Sequence, residues 1–203
     1  YYGINFGLTL DHILRLSARL PQDAALARYI LSRDVRELKI IGQIIYPVEA
    51  LSYEEASTLG RTTFANPELR DYLAKNLFDR HPEAPYWALD WILTPHTQRW
   101  EDLLPLGFTI LARQFTRGFA ISSEAQRRLL LAEALELLSD EELPYPTPLQ
   151  RAALLMLKRW GRSDEALRTE LLASEALERW AESSSAVQRE FADDLRFEFE
   201  SFS

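Results

Sequence analysis

Tryptophans in the middle of the chain are the residues best suited to recognise a nucleic-acid base. Trp87 and Trp91 are four residues apart, which places both on one face of a helix, and Trp100 follows shortly after. An aromatic face stacks on a base or on an alkyl cation. The same spacing is typical of packing between helices, so a binding role and a core role both stay open. Trp160 and Trp180 each end an apolar stripe, and we expect them in the core.

The sequence contains no motif typical of metal binding or nucleotide binding. None of the histidines, His12, His81 and His96, is three or four residues from another, and the chain has 0 cysteines. A glycine-rich phosphate loop and a Gly-x-Ser-x-Gly segment do not occur either. We therefore expect no metal and no cofactor.

The overall composition is that of a globular protein with a substantial core. Of the 203 residues, 47% are hydrophobic and 27% are charged. No apolar run approaches the roughly 18 residues that a membrane span needs. We expect no membrane association and a cytoplasmic location. Because the first residue is Tyr1 and not Met, we also expect that N-terminal residues are missing from this sequence.

The charge is acidic, with 23 basic and 31 acidic residues and a net charge of -8. A phosphate backbone repels such a protein, so binding to nucleic acid requires basic groups that cluster on one surface. Arg151, Lys158 and Arg162 recur along one predicted helix and could form a ridge that faces phosphate. They could equally offset acidic side chains of the preceding helix, at Glu133, Glu136, Glu141 and Glu142.

Hydrophobic residues recur with the helical period along nearly the whole chain, and about eleven helices are predicted. Helix starts are predicted after Thr9, Asp23, Asp34, Ser52, Asn66, Ser122 or Ser123, Thr147 and Ser163, and at Pro85. Pro105 and Gly107 predict a kink or a split in a helix over 97–115. Gly161 is predicted to end the helix that follows Thr147, and a last helix is predicted over 184–199.

Successive helix pairs begin near residues 9, 34, 66, 97 and 147, which is an irregular repeat. Hairpins of about 30–50 residues that bury one face by stacking are typical of HEAT or armadillo solenoids. We therefore expect an all-α fold, with residues 1–203 forming a single helical-repeat domain. The expected architecture is a right-handed α-solenoid of about five to six HEAT-like hairpins. A compact irregular helical bundle is the alternative.

Several segments of the N-terminal half follow one another in a distinctive order. Tyr2-Gly3-Ile4-Asn5-Phe6-Gly7 leads into a helix at 13–17, and a helix with Arg36-Glu37-Leu38-Lys39 ends at Pro47. The segments 52–60 and 64–78 come next. In this order the segments resemble the DNA alkylation repair (AlkD-like) family over roughly residues 2–115.

The resemblance implies a HEAT-like solenoid whose concave, basic face holds duplex DNA. Active members of the family hydrolyse the N-glycosidic bond of a cationic alkylpurine. Because such a base is already a good leaving group, the enzyme mainly needs a carboxylate beside the oxocarbenium-like sugar and aromatic faces beside the cation. The family motif Trp-Asp-x-x-Asp falls on Pro67-Glu68-Leu69-Arg70-Asp71. The match implies that Asp71 is the catalytic carboxylate and that Glu68 keeps the acidity of the first Asp.

The chain departs from the family at two positions. Pro67 replaces the motif Trp, and a phosphate-contacting Arg of the family would fall near Pro105. Two functions stay open: a DNA-binding protein that resembles the glycosylases, with its activity kept or lost, and a non-catalytic HEAT-like scaffold for a protein partner. In the first, Glu68, Trp87, Trp91 and Trp100 are candidate contacts to DNA. Without that function, Asp71 is a helix carboxylate within reach of Lys75.

Overall fold

The computed structural model describes residues 2–140 and 145–201, and these residues form an all-α protein, as predicted. A parallel bridge between Ile4 and Val35 is the β-type pairing within these ranges. Twelve α-helices lie in the described ranges: α1 Leu10–Ser17, α2 Ala24–Leu31, α3 Arg36–Ile45, α4 Tyr53–Arg61, α5 Pro67–Asn76, α6 Ala84–Leu93, α7 Leu104–Thr116, α8 Glu124–Leu138, α9 Pro148–Ser163, α10 Glu165–Leu172, α11 Glu175–Glu182 and α12 Ala186–Glu200.

Side-chain caps begin most of these helices where the sequence predicted them. At each of these starts, the side-chain oxygen accepts a hydrogen bond from the backbone N–H three residues later. The capping residues are Thr9, Asp23, Ser52, Asn66, Ser123 and Thr147. Asp34 was wrongly predicted as the cap of α3. The backbone of Asp34 and Arg36 pairs with Ile4 on either side of Val35, at 3.0 Å in each bond, and α3 begins only after that bridge.

Pro105 and Gly161 do not act as predicted. Pro105 lies in the first turn of α7, where a backbone N–H would have no helical partner, so the N–H that proline lacks is not missed, and α7 begins at Leu104. Gly161 lies inside α9 and not at its end. A Cβ at Gly161 would lie 2.5 Å from the ring of Phe199, so the glycine permits a close approach of α12. Asp164, not Ser163, caps α10, and α11 was not predicted.

The chain divides into two compact units, Tyr1–Ala84 (unit 1) and Pro85–Ser203 (unit 2). A single repeat domain over 1–203 stays a prediction. In unit 1, α3 is the central helix and packs against α1, α2 and α5. Gly42 lets α2 approach α3, because a Cβ there would lie 2.7 Å from Leu31 Cγ. The core of unit 1 includes Ile13, Ala27, Ile30, Ile40, Ile45, Leu69, Leu73 and Phe78.

In unit 2, α9 is the central helix and packs against α7, α8, α10 and α12. Its core is rich in aromatic rings. Phe115 of α7 stacks on Trp160 of α9, with ring centroids 4.9 Å apart and an interplanar angle of 5°. Other buried residues of unit 2 include Phe108, Leu130, Leu157, Trp180, Phe191 and Phe199. The prediction that Trp160 and Trp180 belong to the core is confirmed.

None of the helices in the described part of the chain combines the length and the apolar character that crossing a membrane requires.

Candidate functional site

Asp71 lies on the exposed side of α5. Leu69 and Leu73, two residues before and after it, are buried in the core of unit 1. Because two residues span about 200° around a helix, the carboxylate of Asp71 lies on the opposite side of α5 from these leucines. Asp71 is exposed to solvent, so a ligand can approach it. Its catalytic role stays a prediction.

Glu68, the other acidic residue of the motif, is held by two partners. Arg36 donates to it from Nε, at 3.0 and 3.1 Å, and from Nη2, at 2.5 Å. The hydroxyl of Tyr2 donates at 2.7 Å. The hydrogen bonds from Arg36, followed by that from Tyr2, hold the pKa of Glu68 below its usual value despite partial burial. Glu68 therefore joins the N-terminal segment, α3 and α5, and its proposed contact to DNA stays a prediction.

Glu37 and Arg36 hold the N-terminal segment against α3. The carboxylate of Glu37 accepts from the backbone N–H groups of Phe6 and Leu8, both at 3.1 Å. Arg36 donates to the carbonyl of Leu8 at 3.1 Å. Sequence reasoning singled out this segment only through its resemblance and missed the anchoring role of Glu37. The signal available in the sequence was a glutamate in the first turn of a strongly apolar helix.

Arg70, next to Asp71, is a second residue that sequence reasoning missed. Its side chain is buried, and its Nε and Nη1 atoms have no hydrogen-bond partner. Burial lowers the pKa of Arg70, and the negative charge of Asp71 opposes this shift. The chain therefore places a partly desolvated cation beside the candidate carboxylate. Its position inside a polar stretch of α5 carried no signal of burial.

The candidate tryptophans lie in unit 2 and differ in exposure. Trp91 is 4% exposed and belongs to the core, whereas Trp87, one turn earlier on α6, is half-buried. Trp100 precedes a 3-10 turn at Glu101–Leu103 and is 56% exposed. Stacking on a base stays a prediction, and the rings of Trp87 and Trp100 have the exposure for it. The structure brings Trp87 and Trp91 together on one helix and gives Trp100 a separate position.

His96 lies near two glutamates of α8, although no spacing in the sequence indicated it. Ligand atoms of His96, Glu133 and Glu136 lie within 4.8 Å of one another. Arg99 also pairs with Glu133, and its Nη2 is 2.7 Å from His96 Nδ1. The Arg99 guanidinium contacts both Glu133 and His96, so these residues form a cluster of ion pairs.

The basic ridge considered for α9 pairs with acidic residues. Lys158 Nζ lies 3.1 Å from Asp194 and 3.6 Å from Glu198, and Arg162 pairs with Glu198. These partners belong to α12, and the expected offset by the preceding helix stays a prediction. Of the expected acidic partners, Glu141 and Glu142 lie outside the described residues. Arg151 donates to the carbonyl of Pro146 at 3.3 Å.

A different group of basic residues lines a cleft between α7 and α9. We call it the arginine cleft; its lining residues are Ala112, Arg113, Thr116, Arg117, Leu155 and Arg159. The cleft has a volume of about 350 Å³, and no carboxylate is among the described residues that line it. Three of its six lining residues are arginines, and Arg113 and Arg117 each have a further interaction within the protein. Guanidinium groups bind phosphate through paired hydrogen bonds.

Comparison of the chain with protein-family models, curated proteins and solved structures finds no match.

Two groups of residues are suited to catalysis or to ligand binding. In unit 1, an exposed carboxylate at Asp71 has the charge to stabilise a developing sugar cation and an oxygen atom to orient water. In unit 2, the arginine cleft has the charge and the donors to hold phosphate groups.

Proposed function

We propose that this protein binds duplex DNA through a helical-repeat scaffold that resembles the alkylation repair glycosylases. The observation that carries the proposal is the arginine cleft of unit 2. Arg113, Arg117 and Arg159 give it three positive charges, and none of its described lining residues is acidic. The net charge of -8 repels a phosphate backbone, so binding depends on the local cluster of arginines in this cleft.

The proposed architecture is a right-handed α-solenoid of about five to six HEAT-like hairpins. The packing within each unit supports it. In unit 1, α1, α3 and α5 pack in series while α2 packs beside α3. In unit 2, α7 packs on α9 while α8 packs beside α9. Contact with the next helix and with the second-next helix is the pattern that stacked hairpins produce.

The test of DNA binding is fluorescence anisotropy of a labelled duplex titrated with the protein. One duplex is undamaged and the other carries an abasic-like site, and both are measured at low and at rising salt. We expect binding that weakens as salt increases, because release of counterions contributes to the affinity. We also expect tighter binding to the damaged duplex. Absence of binding at low salt would contradict the proposal.

The catalytic part of the proposal rests on Asp71. We expect the protein to release 7-methylguanine, a cationic alkylpurine, from duplex DNA, and Asp71→Asn to slow the release about 100-fold or more. Asp11→Asn is the matched control, since Asp11 is an exposed helix carboxylate on α1 paired with Arg15 at 2.7 Å. Equal rates for Asp71→Asn and wild type would remove Asp71 from the mechanism. No release by wild type, with binding retained, would leave a DNA-binding protein without hydrolysis.

The second candidate function is a non-catalytic scaffold for a protein partner. It is favoured by the pairing of Lys158 and Arg162 with Asp194 and Glu198, which leaves α9 without the basic ridge that the sequence indicated. A lack of DNA binding at low salt, together with a cooperatively folded protein, would support this function.

A further inference from the structure

Unit 1 contains a pocket whose lining includes neither Asp71 nor a residue of the arginine cleft. It lies among α2, α3, α4 and α5 and has a volume of about 240 Å³. Four leucines form most of its apolar lining: Leu31, Leu59, Leu69 and Leu73. We call it the Lys39 pocket, after a cation in its wall. The pocket is therefore a candidate binding site separate from those described above.

Lys39 supplies a positive charge that has no carboxylate partner. Its side chain is half-buried, and its Nζ donates to the carbonyl of Leu31 at 3.3 Å. Leu31 is the last residue of α2, where a carbonyl lacks a helical partner, so this bond holds the ammonium at the end of that helix. Within the described part of the chain, Lys39 forms no ion pair. An ammonium has three N–H donors, so two of them stay available to a ligand.

The other charged residues of the wall neutralise each other. Arg28 donates to the carboxylate of Glu55 from Nε at 2.7 Å and from Nη2 at 2.9 Å. The lining therefore keeps one net positive charge, which is that of Lys39. A ligand with a single negative charge matches it. A dianionic phosphate would bring excess negative charge close to Glu55 and is disfavoured.

The uncharged polar groups of the wall are bonded within the protein. Four hydroxyl groups donate to backbone carbonyls at 2.7–3.0 Å, and they belong to Ser32, Thr58, Thr62 and Thr63. The side chain of Gln43 is 2% exposed and its Oε1 is buried, so a ligand does not reach that atom. Beside the ammonium of Lys39, the pocket therefore offers mainly the apolar surface of its leucines.

We propose that the Lys39 pocket binds a small carboxylic acid with an apolar body. The carboxylate pairs with the ammonium of Lys39, and the apolar body covers the four leucines. Hydrogen bonds between two charged groups are stronger than those between neutral groups, so the charge selects the ligand. An apolar cavity of about 150 Å³ accepts benzene, and the larger volume here suits one ring with a short chain. The probe is 3-phenylpropanoate, which has this size and a single carboxylate.

The test compares 3-phenylpropanoate with its neutral amide, 3-phenylpropanamide, by titration into the full chain and measurement of backbone amide chemical shifts. The two probes have nearly the same shape and differ in charge. The carboxylate is expected to shift the amides around Lys39, Leu59 and Leu73 and to bind about tenfold more tightly than the amide at low salt. Equal affinities would overturn the proposal. Binding of neither probe, or shifts confined to other residues, would overturn it as well.

Lys39→Met assigns the preference to one side chain. This variant keeps an unbranched side chain and removes the charge, so the preference for the carboxylate should disappear. Lys75→Met is the matched control, because Lys75 is exposed on α5 of the same unit and is not among the residues that line the pocket. It should keep the full preference. A preference that survives in Lys39→Met would overturn the assignment to Lys39. If Lys39→Met does not fold, the comparison of the two probes on the wild-type chain still decides the proposal.

Discussion

The two units hold their helices together by different means. In unit 1 the N-terminal segment, α3 and α5 are joined by charged hydrogen bonds that meet at Arg36 and Glu68. In unit 2, ion pairs join α9 to α12, but the central contact, between α7 and α9, is the stack of Phe115 on Trp160 within a core of aromatic rings. Loss of one charge should therefore weaken unit 1, whereas unit 2 should respond most to the loss of a ring.

Phe115→Ala should have the largest effect on stability. It removes a buried ring and leaves a cavity beside Trp160, which costs about 3–5 kcal/mol of unfolding free energy. Urea denaturation followed by tryptophan fluorescence measures it, because all 5 tryptophans lie in unit 2. The control is Leu129→Ala, an exposed position on α8, which should change stability by less than about 0.5 kcal/mol. Similar effects for the two variants would contradict an aromatic core as the source of stability in unit 2.

Arg36→Ala should have the next largest effect. It removes the partner of Glu68 and the donor to the carbonyl of Leu8, and should cost about 2 kcal/mol. Far-ultraviolet circular dichroism during urea denaturation gives the value. Arg15→Ala is the matched control, since Arg15 forms an exposed ion pair with Asp11 and such pairs contribute about 0–1 kcal/mol. A loss no larger than in the control would show that the N-terminal segment is held by other contacts.

The dependence of stability on pH should be the smallest effect. The Arg36 guanidinium lowers the pKa of Glu68 in the folded protein, so this carboxylate contributes stability above its unfolded pKa of about 4.3. That contribution is lost as the pH falls through the lower folded pKa. Glu68→Gln removes the titrating group, so its urea midpoint should fall less than that of wild type between about pH 5 and about pH 3. If the urea midpoints of Glu68→Gln and wild type fall equally, Glu68 does not contribute to the loss of stability in acid.

The helices could be predicted because their signals are local. A capping oxygen at Asn66 or Thr147, followed by an apolar period, depends only on neighbouring residues. Two of the errors arose where a distant residue decides the local structure. Ile4 pairs with the backbone around Val35 and moves the start of α3, and Phe199 packs on Gly161 inside α9.

Of the candidate sites, one could be found from the local sequence and the other depends on packing between distant helices. Asp71 came from a motif in sequence order, and the structure describes it as an exposed carboxylate. The arginine cleft could not be predicted, because Arg113 and Arg159 come from different helices and meet only through the packing of α7 on α9.

The central claim is that the arginine cleft binds the phosphate backbone of DNA. The most direct test is the salt dependence of duplex binding for the double variant Arg117→Gln, Arg159→Gln. The slope of log affinity against log salt should decrease in magnitude by about 2 relative to wild type, because each lost phosphate contact removes about 0.9. Arg128→Gln, a basic residue of α8 paired with Glu124 at 2.8 Å, should keep the wild-type slope. An unchanged slope in the double variant would contradict the claim.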